Sequence, residues 1–136
     1  MKNKKPILGI TMGDPSGIGP EIAAKTLAKK KIYDMCRPII VGDANVMVQA
    51  IKITGVDLKV NRVYNVGDAL FRYGTMDVYD LKNTDMEQLV YGKVSAMAGK
   101  AGFEAVKKVI ELALHGEIDA TITGPINKEA MNLAGF

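Results

Sequence analysis

Three short apolar segments, each followed by or ending at a turn, most constrain how this chain can fold. They occupy residues 7–12, 38–42 and 119–123, and each is interpreted as apolar on both faces. Strands of this kind are typical of a parallel sheet that is covered by helices on both sides. We therefore predict that all three are central strands of one sheet and that none lies at an exposed edge.

A helix is predicted directly after the first of these strands. Pro20 and Glu21 are typical of a first helical turn, and the pattern indicates a helix from Gly19 to about Lys30. The lysines at 29–31 then fall at its C-terminal end, where they complement the negative pole of the helix dipole. The predicted inward positions are Ile22, Ala23 and Leu27.

The longest helical pattern covers residues 95–114, and Gly116 ends it. Its inward positions recur at spacings of three and four residues and are predicted to be Phe103, Val106, Ile110 and Ala113, with Val109 and Leu114 widening the apolar stripe. Further helices are predicted over 44–54 and 127–134, and further strands over 57–66 and 76–81. Strands that alternate with helices along most of a chain predict an α/β domain with a largely parallel sheet.

Composition excludes several classes of protein. The 136 residues are 48% hydrophobic and 24% charged, which is typical of a globular domain and not of a disordered chain. No apolar run reaches the ~18–20 residues of a membrane span, and no cleavage-type sequence follows the basic start at residues 1–5. The single cysteine, Cys36, excludes an internal disulfide and a Cys/His zinc site. A reducing cytoplasm is therefore the expected compartment.

The small net charge of +3 gives no support for nucleic-acid binding. The chain also lacks tryptophan, and its aromatic residues are not interleaved with basic ones as a base-stacking surface requires. Two isolated residues have simple structural explanations. His115 is expected to cap a helix C-terminus or interact with its dipole, and Cys36 is expected to be an inert thiol.

The loop after the first strand carries three glycines in seven residues, from Gly13 to Gly19. Glycines let the backbone approach a ligand closely, and the following helix offers free N–H groups. The phosphate-binding P-loop pattern fails because no lysine follows Gly19. The dinucleotide fingerprint fails because Ile22 occupies its third glycine position. A ligand-binding loop and a turn that only joins a strand to a helix therefore remain equally open on local chemistry.

A second unusual loop runs from Thr121 to Ala130. Gly124 allows close approach, Asn127 is a typical helix N-cap, and Lys128 lies near a helix start, where an anion is favoured. An ordinary turn between a strand and a helix, with Asn127 as the cap and Lys128 in solvent, explains the same residues. Local chemistry alone favours this ordinary turn.

Two sequence blocks resemble one enzyme family. The stretch from Ile10 to Glu21 (ITMGDPSGIGPE) resembles the N-terminal signature of the 4-hydroxythreonine-4-phosphate dehydrogenase family. Residues 123–128 (TGPINK) with Ala134-Gly135 resemble a second block of that family, in the right order and at the right distance. Residues 92–96 (GKVSA) with 99–101 (GKA) resemble the branch that acts on D-threonate or D-erythronate 4-phosphate. The likeness covers nearly the whole chain but only the first part of the family's length.

The resemblance implies a three-layer α/β/α fold similar to that of isocitrate and isopropylmalate dehydrogenases. It implies that residues 1–136 are the N-terminal part of a longer two-domain subunit of a cytoplasmic homodimer, with no internal domain boundary. The implied activity is NAD-dependent, metal-assisted oxidation, with decarboxylation, of a 4-phosphorylated hydroxy acid, as in pyridoxine biosynthesis. The family's metal-binding histidines correspond to positions beyond Phe136, so no metal ligand or catalytic residue is assigned, and the fragment alone is expected to be inactive.

Two groups of binding residues follow from the resemblance together with the loop patterns. The cofactor NAD is expected at Gly13, Asp14, Gly17 and Gly19. The phosphorylated substrate is expected at Thr123, Gly124 and Lys128. Nucleic acid and membrane are not expected partners.

Two other functions remain as alternatives. A decarboxylating dehydrogenase of the isocitrate type is disfavoured, because residues 14–16 (DPS) are inserted before the GIGPE sequence that both groups share. A non-catalytic α/β module that binds a nucleotide or phosphate is the alternative from a different class. It is favoured by the lack of a visible metal or acid/base cluster in the sequence.

Overall fold

The computed structural model describes residues 4–136, which form a five-stranded parallel sheet with helices on both faces. Residues 1–3, part of the basic start, lie outside the described residues. The spatial strand order is β3-β4-β2-β1-β5, and every neighbouring pair is parallel. The predicted α/β class is confirmed. The strands are β1 (Ile7–Thr11), β2 (Arg37–Gly42), β3 (Lys59–Val63), β4 (Thr75–Asp80) and β5 (Ala120–Ile122).

Helices cover the sheet in two layers, which gives the three-layer arrangement. On one face, α1 and α3 pack together over Ile40 and Val78. On the other face, α4 covers Ile39 and Val41, and α5 packs against α4. None of the helices within residues 4–136 is long and apolar enough to cross a membrane. The helices are α1 (Gly19–Leu27), α2 (Lys30–Met35), α3 (Ala44–Thr54), α4 (Ala96–Leu114) and α5 (Lys128–Leu133), with a short 3-10 turn at Val66–Asp68.

The prediction that all three apolar segments are central strands is correct for two of them. The strands β1 and β2 have a partner on each side, and Ile39, Ile40 and Val41 are fully buried. The prediction for residues 119–123 is wrong, because β5 covers only 120–122, pairs with β1 alone and is exposed along its length. Within residues 4–136 no strand lies beyond it. It is three residues long and carries Thr121 between Ala120 and Ile122, which fits an edge position, where side chains need not be apolar.

The first predicted helix ends about three residues earlier than predicted, and a short second helix that was not predicted follows it. The helix α1 ends at Leu27, and α2 begins at Lys30. The lysines at 29–31 therefore lie at the start of a helix and not at the end of one, so the predicted dipole explanation for them is wrong. Ala23 and Leu27 are buried as predicted, whereas Ile22 remains 48% exposed. No glycine or proline separates the two helices, so the sequence contains no clear signal that a second helix begins.

Of the residues predicted to face inward on α4, only Val109 is fully buried. The buried residues of this helix are small ones together with Val109 and Leu112, whereas Ile110 is 51% exposed and Phe103 stacks on Phe136. Other backbone segments approach α4 closely, and this explains why small residues lie on its buried face. A Cβ atom on Gly99 would collide with the carbonyl of Ala130 in α5. Glycine and alanine, not large apolar residues, therefore mark the inner face.

Polar side chains cap the N-termini of three helices. Asp43, Ser95 and Asn127 cap the N-termini of α3, α4 and α5, each through a side-chain oxygen that accepts from a backbone N–H. Gly55 ends α3 with a φ of 71°, a left-handed conformation that favours glycine. His115 is the C-cap residue of α4 and is exposed, as predicted.

Two glycines in α4 provide a direct test of its packing. Both Gly99→Ala and Gly102→Ala gain up to about 1 kcal/mol of helix propensity. A Cβ on Gly102 would lie 3.6 Å from Asp14 Cα, an ordinary contact, whereas one on Gly99 would overlap the backbone of Ala130. We expect Gly102→Ala to maintain or raise the midpoint of urea unfolding and Gly99→Ala to lower it. Equal midpoints for the two variants would contradict the α4–α5 packing described.

Candidate functional site

The two loops that the sequence singled out lie against each other at the carboxyl edge of the sheet. They follow the neighbouring strands β1 and β5, whose parallel pairing brings their ends together. The Asp14 backbone N–H donates to the Pro125 carbonyl at 2.8 Å, and the Gly124 N–H donates to Thr11 Oγ1 at 2.8 Å. Residues more than one hundred positions apart in sequence therefore form one surface, at the edge where α/β folds bind ligands.

Most of the predicted site glycines are required by this packing. A Cβ atom on Gly13 would overlap the Pro125 carbonyl, and one on Gly19 would overlap the Met12 carbonyl. A Cβ on Gly124 would lie 2.8 Å from the Thr11 carbonyl oxygen. Gly17 differs, because its Cβ would meet only the Asp14 carbonyl oxygen at 3.5 Å. Gly17 is therefore the predicted site glycine whose missing side chain leaves open space.

Asp14 lies in this loop and is 5% exposed. Its Oδ1 accepts from the backbone N–H of Ser16 at 2.8 Å and from Ser16 Oγ at 2.7 Å. Its Oδ2 is buried and has no hydrogen-bond partner among residues 4–136. A buried acceptor without a partner costs about 1–3 kcal/mol, and more when it carries charge. Such an atom calls for an explanation, because buried polar atoms in folded proteins are nearly always paired.

Asp14 and Gly17 line an open cavity of about 300 Å³, a volume at the lower end of the range of small-molecule sites. The segment from Gly92 to Val94 forms one wall, because the Gly92 N–H donates to the Ser16 carbonyl at 2.8 Å. The second loop forms the opposite wall through Pro125, Ile126 and Asn127. The complete lining is Asp14, Ser16, Gly17, Ile18, Gly92, Lys93, Val94, Pro125, Ile126 and Asn127.

The sequence did not single out Lys93 or Ser16 as site residues. Lys93 is exposed on the cavity wall, and within the described part of the chain no carboxylate forms a salt bridge with it. The Gly92-Lys93 pair was noted only as part of a family resemblance, and it follows no strand whose end would have marked it. The contact from Gly92 to Ser16 is the signal, and it exists only in the folded chain.

The residues predicted for substrate do not line this cavity. Thr123 and Gly124 line a separate apolar groove of about 200 Å³ between α1 and β5, and Pro125 lines both spaces. Lys128 is exposed at the start of α5 and lines neither of them. Its assignment to the substrate stays a prediction.

The N-terminus of α1 borders the same cavity through Gly17 and Ile18. Ile18 is the N-cap residue, and no side chain caps the free N–H groups of the first turn. Tyr91 is close to this turn, since burial, followed by the charge of Glu21, raises the pKa of its phenol. The uncapped turn thus presents its positive end beside the cavity.

No group of three or more His, Cys, Asp or Glu residues within 4–136 has the arrangement needed to hold a metal ion. Asp43 follows the second strand, which is the place of a ribose-binding acid in dinucleotide-binding folds. It is 1% exposed, however, and both of its carboxylate oxygens accept backbone N–H groups. Asp43 therefore maintains the fold and is not available to a ligand. The described residues do not fit a divalent metal site.

Substitutions at two glycines of the first loop distinguish a glycine that is required for packing from one that lies beside open space. We expect Gly19→Ala to destabilise the protein by about 1–3 kcal/mol, since its methyl group overlaps the Met12 backbone. Gly17→Ala should leave the free energy of unfolding unchanged within about 0.5 kcal/mol, because its methyl group points into open space. Chemical denaturation of both variants measures this difference. A Gly17→Ala variant as unstable as Gly19→Ala would contradict the open position of Gly17.

Comparison with known proteins adds independent information. A family model described as "Pyridoxal phosphate biosynthetic protein PdxA" matches residues 34–136. A protein of Symbiobacterium thermophilum named "Putative D-threonate 4-phosphate dehydrogenase" is 52% identical over 130 residues, or 96% of this chain. A protein of Clostridium botulinum with the same name is 47% identical over 131 residues. This chain spans 39% of the length of each of these two relatives.

Solved structures show the same relationship. The crystal structure of a 4-hydroxythreonine-4-phosphate dehydrogenase from Burkholderia phymatum superposes with a TM-score of 0.95 and 41% sequence identity. The match covers 98% of this chain and 40% of that one. The fold and the sequence therefore agree, and the chain belongs to the family of the pyridoxal phosphate biosynthetic protein PdxA.

Proposed function

We propose that this chain is the N-terminal part of a dehydrogenase that oxidises a 4-phosphorylated hydroxy acid with NAD as the hydride acceptor. The supporting observation is the 52% identity, over 96% of the chain, with the Symbiobacterium thermophilum protein named for D-threonate 4-phosphate. D-threonate or D-erythronate 4-phosphate is therefore the favoured substrate, and 4-hydroxythreonine 4-phosphate is the second candidate.

Features at the carboxyl edge of the sheet support the proposed binding of NAD. Gly17 leaves space beside the uncapped start of α1, and Asp14 offers an acceptor atom that nothing in the described chain uses. The bound nicotinamide supplies the hydride chemistry, and the protein supplies binding and orientation. In this proposal the loop from Gly13 to Gly19 binds the cofactor and excludes water from one side of it.

The proposal assigns further properties to the complete polypeptide. The described residues do not fit a divalent metal ion. The metal ion that the family resemblance implies would be held by residues that correspond to positions beyond Phe136, and it would supply stabilisation of negative charge on the reacting oxygen. The subunit is proposed to have two domains and to work as a cytoplasmic homodimer. The 136-residue chain alone is proposed to be inactive.

NADH formation by the complete polypeptide that contains residues 1–136 tests the proposed activity. The assay compares D-threonate 4-phosphate and 4-hydroxythreonine 4-phosphate, with unphosphorylated D-threonate as the matched control. We expect NADH with at least one phosphorylated acid and much less with D-threonate. Binding of NAD or phosphate without any turnover would instead favour the non-catalytic binding module.

Lys128 provides a second test, on the predicted substrate side. If Lys128 pairs with the substrate phosphate, Lys128→Met lowers kcat/KM about tenfold, equivalent to about 1.4 kcal/mol, and the loss shrinks as salt increases. Lys31→Met removes an exposed lysine on α2 and serves as the control. A change below about twofold at both low and high salt would mean that Lys128 is only a solvated residue.

A further inference from the structure

The four buried aspartates of the described chain show how unusual Asp14 is. These residues are Asp14, Asp43, Asp77 and Asp80. Asp43 uses both oxygens to accept backbone N–H groups at the start of α3 and at Thr84. Asp77 uses both to hold Asn61 and the turn at Leu70 and Phe71. Asp80 uses Oδ1 for two backbone N–H groups and Oδ2 for Arg62.

Asp14 alone among these four has an oxygen without a partner. Its Oδ1 is satisfied by Ser16, so the loop conformation is already held without Oδ2. No salt bridge to Asp14 is found within residues 4–136. In each of the other three buried aspartates, both carboxylate oxygens accept hydrogen bonds from the protein. The unused atom of Asp14 points to a donor that the chain itself does not provide.

The cavity that Asp14 lines also holds a group of opposite charge. Lys93 lies on its wall, and the uncapped first turn of α1 borders it. A phosphate would be repelled by the Asp14 carboxylate and attracted by Lys93 and by the helix terminus. A hydroxyl group has the opposite preference, because it can donate to the carboxylate. The lining of this cavity therefore offers one partner for a hydroxyl group and others for a phosphate group.

We propose that this cavity binds a phosphorylated polyol, with a ligand hydroxyl donating to Asp14 Oδ2 and the phosphate pairing with Lys93. The cavity of about 300 Å³ is as large as roughly ten water molecules in the liquid, which suits one sugar-phosphate unit. This inference rests on the proposed function, which provides two sources of that chemistry. They are the ribose-phosphate part of NAD and the phosphorylated hydroxy acid.

The variant Asp14→Asn tests the role of the unused oxygen. Asparagine keeps the carbonyl oxygen that accepts from Ser16 and replaces Oδ2 by an amide group that cannot accept a hydroxyl hydrogen. The matched control is Asp43→Asn, where the amide would face the Thr84 N–H, which the native Oδ2 accepts at 2.9 Å. We expect Asp43→Asn to lower the midpoint of thermal unfolding by at least about 2 °C and Asp14→Asn to leave it unchanged.

Binding is measured on the complete polypeptide by isothermal titration calorimetry, with NAD and D-threonate 4-phosphate as separate probes. We expect Asp14→Asn and Lys93→Met each to weaken the same probe at least tenfold, and Lys31→Met to weaken neither. Weakening of NAD identifies the ribose-phosphate as the occupant. Weakening of D-threonate 4-phosphate identifies the acid.

Three outcomes would overturn the inference. They are unchanged dissociation constants in the Asp14 and Lys93 variants, failure of the wild-type polypeptide to bind either probe, and a loss of thermal stability in Asp14→Asn equal to that of Asp43→Asn. The proposed function is tested separately by NADH formation. If the polypeptide forms NADH but both variants bind the probes as the wild type does, only the inference is disproved. If it forms no NADH but both variants bind a probe more weakly, only the proposed activity is disproved.

Discussion

The parallel pairing of β1 with β5 is the interaction on which the candidate site depends. It brings the ends of two strands that are separated by more than one hundred residues to the same edge of the sheet. Thr11 and Asp14 then each form a hydrogen bond with the loop after β5. Because Gly13, Gly19 and Gly124 have no side chains, these backbone segments can touch. The helix α4, which connects β4 to β5, packs against them through its own small residues.

Local patterns predicted the elements well where one physical signal dominated. Consecutive apolar residues identified β1 and β2, Asn127 marked the start of α5 by capping chemistry, and Gly55 marked the end of α3. Three features were not predicted: the edge position of β5, the short helix α2 and most of the inner face of α4. For α4, apolar periodicity favoured large residues, but the proximity of α5 at Gly99 requires small ones.

The residues of the candidate site were also only partly predictable from the sequence. The glycine-rich loop was visible in the sequence, but its glycines have two different roles that only the fold separates. Gly13 and Gly19 allow backbone contact, and Gly17 faces open space. Lys93 and the unused oxygen of Asp14 carry no sequence signal of their own, since a lysine in a loop and an aspartate in a turn are both ordinary. Their meaning comes from which atoms the folded chain leaves without partners.

Pro125 has a position with consequences for how two ligands would influence each other. It lines both the polar cavity and the apolar groove, and its carbonyl accepts from the Asp14 N–H. A molecule in one space that shifts this rigid residue changes the shape of the other and the position of the Asp14 backbone. Occupancy of the two spaces is then cooperative, and thermodynamic linkage requires each occupant to alter the affinity of the other by the same factor.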